Sequence, residues 1–95
     1  MTSTTHGDLD KRIKEAEKQV VIGGVYRHYK HPERKYFVER VAIQEATLKP
    51  CVLYKDIATL SAPSFVRDLD SWLENVEWEG KMVPRFVLTP TSINT

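Results

Sequence analysis

Little in this sequence is suited to covalent or metal chemistry. The chain has one cysteine among 95 residues, Cys51. It therefore forms no internal disulfide and no site of several thiolates, and a lone thiol suits a reducing compartment. Only four glycines occur, two of them adjacent as Gly23-Gly24. That leaves no glycine loop to cradle a phosphate and no Gly-x-Ser-x-Gly nucleophile elbow. No apolar run approaches the ~18–20 residues that span a bilayer. The polar start, Met1 to Asp8, lacks the apolar stretch of a signal peptide. A cytoplasmic protein with no membrane contact is expected.

Charge of one sign is not in excess either. Fourteen lysines and arginines face thirteen acidic residues, for a net charge of +1. A protein held to nucleic acid by phosphate contacts carries a larger basic surplus. The basic stretch from Arg27 to Arg40, with Tyr29 and Tyr36 able to stack on bases, keeps nucleic acid only as the last of four readings.

What is present is an ordinary globular composition, 41% hydrophobic and 28% charged, in a length that suits one small domain. Residues 1–7 are read as a disordered tail, residues 8–22 as an N-terminal helix, 23–88 as a small β domain and 89–95 as a second tail. Asp8 is placed as the helix N-cap. Leu9, Ile13, Ala16 and Val20 follow as one narrow apolar stripe over a helix from Leu9 to about Gln19. Gly23-Gly24 is read as its stop.

Beyond Gly24 the period changes to two. Val25 to Lys30 is a strand, His31 to Arg34 a proline turn, and Lys35 to Glu45 a second strand. Tyr36 and Val38 share one face of it, and Val41 and Ile43 the other, the slip that a β-bulge near Glu39 or Arg40 produces. Cys51 to Asp56 and Phe65 to Arg67 are further strands. Asp70 is placed to cap a helical turn through Trp72 and Leu73. Val76 to Trp78 and Met82 to Leu88, around Gly80, form a last hairpin. The expected fold is mainly β: a small SH3-like barrel, or a strongly bent antiparallel sheet of about five strands, with one N-terminal α-helix.

Several residues can carry chemistry. His28 and His31 lack an acidic or thiolate partner to complete a metal shell, so no metal and no cofactor is expected. His6 lies in the tail. Cys51, beside Val52 and Leu53, reads as a small core residue rather than a nucleophile. On the first strand Tyr26, His28 and Lys30 share one parity, with Arg27 and Tyr29 on the other. One face is therefore polar and aromatic, a common ligand platform. Basic residues gather between Tyr26 and Arg40, acidic ones between Asp68 and Gly80.

The run Gly24-Val25-Tyr26-Arg27-His28-Tyr29-Lys30 resembles the opening of a family of short bacterial domains of unknown function, numbered 1653. Tyr36, Val38, Val52, Tyr54 and Phe65-Val66-Arg67 follow in the family's order. Gly80 with Pro84-Arg85-Phe86 matches its closing Gly-x-x-x-Pro-Arg-Phe signature. Where the family carries a His-Ser-Glu-Thr run, this chain has Gln44-Glu45-Ala46-Thr47, without the histidine. The resemblance covers about Gly23 to Leu88 and implies a compact, mainly β domain without an assigned activity.

The leading expectation is a non-catalytic binding module. Tyr26, His28, Tyr54, Arg67 and Arg85 are expected to converge on one pocket for an anionic or peptide-like group, because arginine offers a planar fork to carboxylates and phosphates. The arginines alternatively pair with Glu45, Asp68 or Asp70 and serve the fold. A second reading is a small enzyme, with His28 as general base, Glu45 orienting it and Arg85 stabilising charge. A third is an interaction or assembly protein that uses the N-terminal helix, with a homodimer or another protein as partner.

Overall fold

The computed structural model describes residues 6–59 and 61–90. Most of both expected tails therefore lies outside the described residues. The chain runs α1 (His6–Glu17), β1 (Val25–His28), β2 (Lys35–Gln44), β3 (Lys49–Asp56), β4 (Phe65–Asp68), α2 (Leu69–Trp72), β5 (Asn75–Trp78), β6 (Lys81–Pro84) and β7 (Phe86–Leu88). Two antiparallel sheets result, one of five strands in the order β4-β3-β2-β1-β7 and one of two, β5-β6. The mainly β expectation with a helix in front is what the chain builds.

The helix starts and ends earlier than its sequence pattern suggests. Asp8 sits inside the first turn of α1 rather than capping it, a place where its charge favours the positive end of the helix. After Glu17 a tight turn closes, with Gln19 N–H donating to the Ala16 carbonyl at 2.9 Å. Gly23-Gly24 is therefore not the helix stop. Gly23 has φ +80°, and its N–H donates to the Val38 carbonyl at 2.8 Å. At Gly24 a Cβ would lie 2.9 Å from the Val21 carbonyl oxygen and 3.0 Å from Leu88 Cδ1. The glycines serve the turn that feeds β1 into the sheet between β2 and β7.

In β2 the pairing with β3 shifts between Val38 and Arg40, the expected bulge. A bulge adds an unpaired residue and bends the strand. The consequence is large. Four inter-strand steps of about 4.8 Å would set β4 and β7 about 19 Å apart in a flat sheet. Instead the Arg67 guanidinium of β4 lies 5.5 Å from the centroid of the Phe86 ring of β7. These two side chains meet over the shared face, while β4 bonds only to β3, and β7 only to β1. The sheet is thus strongly bent but not closed into a barrel.

The expected last hairpin is also corrected. The span Met82 to Leu88 is not one strand, because it breaks at Arg85. There the backbone N–H donates to the Glu74 carbonyl at 2.9 Å, and the carbonyl accepts from Tyr29 N–H at 3.0 Å. One residue hands the chain from the small sheet to the large one. The helical turn α2 begins directly from β4, with Asp68 rather than Asp70 at the N-cap position.

The core gathers on the concave face of the large sheet. Ala16, Val20, Tyr26, Val38, Val41, Val52, Tyr54, Leu69, Trp72 and Phe86 form one buried cluster, against which Ile13 packs. The apolar stripe of α1 is used on its own sheet. Trp72 stacks on Phe86 at 3.9 Å and 10°, and meets Tyr54 at 4.9 Å and Tyr26 at 5.2 Å. Burying such rings contributes about 2–3 kcal/mol each, with a further ~1 kcal/mol for ring geometry.

Candidate functional site

Strand pairing explains how the site is assembled. Tyr26 lies opposite Tyr36, and His28 opposite Phe86. Val38 faces Tyr54, which faces Phe65, and Val52 faces Arg67. Paired residues share a face, and so do residues two apart on one strand. His28, Tyr36, Tyr54, Phe65, Arg67 and Phe86 therefore stand on one face drawn from all five strands. The bend brings them around a single open cleft of about 310 Å³.

Of the five residues expected to converge, three line this cleft: His28, Tyr54 and Arg67. Tyr26 does not. It is 7% exposed and belongs to the core beneath, where its hydroxyl accepts from the Val21 N–H at 2.9 Å. Arg85 does not line the cleft either. Its guanidinium donates to Glu74 Oε1 at 2.7 Å, so it serves the fold in part, with a partner not among those expected. Its charge still reaches His28 and helps lower the histidine pKa. Sequence reasoning missed Tyr36, Phe65 and Phe86. Their parity relative to Tyr26 and Tyr54 was the available signal, and it becomes usable only once the pairing register is known.

Arg67 is held from two sides. Its Nη1 donates to Ser71 Oγ at 2.9 Å, and its guanidinium carbon sits over the Phe86 ring. Its Nε is buried without a hydrogen-bond partner. Among the described residues no carboxylate lies within ion-pair distance of it, the expected Asp68 and Asp70 included. Asp68 instead accepts from the Cys51 thiol at 3.4 Å. Burial and that bond push the Cys51 thiol up, so it is a core residue rather than a nucleophile.

His28 has a positive surround. Its pKa lies below the ordinary 6.5, through burial first, then the charges of His31, Arg85, Arg67 and Arg34. Its Nδ1 accepts from the Lys30 backbone N–H at 3.1 Å, which leaves Nε2 as the protonated nitrogen of the neutral ring. The ring stacks on His31 at 5.7 Å and meets Phe86 edge-on at 5.7 Å.

This geometry does not assemble the enzyme constellation. Glu45 lies just past the end of β2 and does not line the cleft that holds His28. None of the carboxylates bonded or paired in the described residues is bonded to His28. No group of three His, Cys, Asp or Glu side chains able to hold a metal occurs among the described residues, and no helix there is long and apolar enough to cross a membrane. What the cleft offers is aromatic walls, one arginine without a carboxylate, a histidine and two tyrosine side chains.

No curated protein matches the chain. A crystal structure of a DUF1653 protein from Bordetella bronchiseptica superposes with a TM-score of 0.63 at 29% identity, covering 81% of this chain and 97% of that one. The family described as "protein of unknown function (DUF1653)" matches residues 24–88. That span holds the five-strand sheet, the small sheet and every residue of the cleft, and leaves α1 outside. With more than half of its length matched, and with a solved member sharing its fold, the chain belongs to the DUF1653 family.

Proposed function

We propose that this chain is a non-catalytic binding module whose cleft takes an anionic group. The observation that carries this reading is Arg67, a partly buried guanidinium in an aromatic cleft with no carboxylate to neutralise it. A cation left without a counter-charge in a site of reduced dielectric favours an external anion. His31, Arg85 and Arg34 add positive potential around His28. The contact of Arg67 with the Phe86 ring and its hydrogen bond to Ser71 hold the guanidinium in place, where it can present N–H groups to carboxylate or phosphate oxygens.

The assembly reading finds less support. It rests on the α1 stripe, and Ala16 and Val20 are buried against the sheet. Arg12 of α1 further ties the helix to the β2–β3 turn by donating to the Leu48 carbonyl at 2.7 Å.

The test is an NMR titration of the isotope-labelled full chain with inorganic phosphate and, separately, acetate. Saturable shifts are expected at the Arg67 side-chain Nε–H, the His28 ring and the backbone of Tyr54 and Phe65. They are expected to vanish in Arg67→Gln. Shifts that never saturate, or that persist in Arg67→Gln, contradict the reading.

A further inference from the structure

The five-strand sheet has two free edges, and they differ. The β7 edge is three residues long and is followed by Thr89, whose N–H bonds back to Val25 at 2.9 Å, and by Pro90. The β4 edge is open beside the cleft, and on it Phe65 is 50% and Val66 59% exposed. An edge strand presents unpaired backbone groups to any extended segment that comes alongside. Natural edges are commonly blunted by charge, and Arg67 and Asp68 supply it in the second half of β4, yet its first half leaves two large apolar side chains in the open, next to an arginine without a carboxylate.

We infer that β4 takes an extended acidic segment of a partner protein as a sixth strand, and that the anion in the cleft is that segment's carboxylate side chain. This rests on the anion-binding reading of the same cleft and names its ligand. Cross-strand pairing sets the chemistry of the segment. On the cleft face, Phe65 calls for an apolar residue opposite it, and Arg67 for Asp or Glu. On the other face, Val66 calls for a β-branched residue, and Asp68 for a neutral or basic one. Antiparallel to β4, the segment therefore reads Thr-Glu-Val-Val or its equivalents. The main-chain ladder supplies affinity and alternate side chains supply selectivity, as in other strand-addition complexes.

A second copy of this chain fits the edge poorly. Pairing β4 with its own symmetry mate so that all four residues match sets Phe65 against Asp68 and Val66 against Arg67, charge against apolar throughout. The register that sets Arg67 against Asp68 carries Phe65 and Val66 past the end of the mate's strand, into α2, which starts at Leu69. The observations thus favour a partner of different sequence.

The test uses the isotope-labelled full chain with three probes: an acetylated, amidated octapeptide with Thr-Glu-Val-Val at its centre, its Glu→Gln counterpart, and inorganic phosphate. The glutamate peptide is expected to slow amide exchange within Phe65 to Asp68 and to bind about tenfold tighter than the glutamine peptide, the scale of one charge-assisted pair. That preference is expected to disappear in Arg67→Gln. If phosphate binds at Arg67 while neither peptide protects β4, the strand inference falls and the anion cleft stands. If phosphate leaves Arg67 and His28 unchanged and neither peptide protects β4, both fall. Equal affinity for the two peptides, or protection at β7 instead, also overturns it.

Discussion

His28 and Arg67 sense each other across the cleft, and the histidine reports it through pH. Burial and positive neighbours hold the folded His28 pKa below 6.5. The unfolded chain therefore takes up a proton at a pH where the folded chain does not. Stability linked to this group is fully present above the unfolded value, and it is lost as pH falls through 6.5 toward the folded value. The urea midpoint of the wild type is expected to fall between about pH 7.5 and about pH 5.5, and His28→Gln to flatten that part of the curve. Equal slopes for the two proteins would show that His28 is not held below its ordinary value. Cys51 gives a second check at this scale. Its raised pKa and 1% exposure mean that alkylation by iodoacetamide should wait for unfolding, so the rate in native buffer should fall far below that in urea.

At the scale of elements, the β5–β6 turn stores a removable cost. Trp78 pairs with Lys81 across a two-residue loop, where Glu79 has φ +52° and Gly80 +81°. Two positive angles in a two-residue hairpin are the type I′ geometry that asparagine-glycine fills best. Glu79→Asn is expected to raise stability by about 0.5 kcal/mol, read as a small upward shift in melting temperature, with the binding behaviour unchanged. This turn was legible from Gly80, and the bulge from the slip between Val38 and Val41, because both are local patterns. The break at Arg85 was not. Nothing in Pro84-Arg85-Phe86 shows that one backbone bonds to Glu74 on one side and Tyr29 on the other. The early end of α1 at Glu17 was hidden for a related reason: Val20 completes the helical stripe, yet it reaches the core from a turn.

At the scale of the whole molecule, the helix outside the matched family span is still part of the packing. Deleting residues 1–21 removes Ala16 and Val20 from the core and uncovers part of β2 and β3. It is expected to cost about 3–4 kcal/mol in denaturant unfolding while leaving light scattering at the monomer value in both forms. A full chain that is dimeric while the shortened one is monomeric would favour assembly through α1 instead. The cleft was half legible. His28, Tyr54 and Arg67 lie in recognisable strands and do share one face, while Tyr26 and Arg85 went elsewhere because depth below a face and the reach of Glu74 depend on the bend. That bend sets a histidine and an arginine from distant parts of the chain at one opening.

The most direct measurement of that claim is the pKa of His28 by NMR, with and without inorganic phosphate, in the wild type and in Arg67→Gln. Phosphate should raise the wild-type value, because an anion in the cleft favours the charged ring. Arg67→Gln alone should also raise it, by removing a positive neighbour, and should erase most of the phosphate effect. A His28 pKa indifferent to both phosphate and Arg67 would contradict a shared anion cleft.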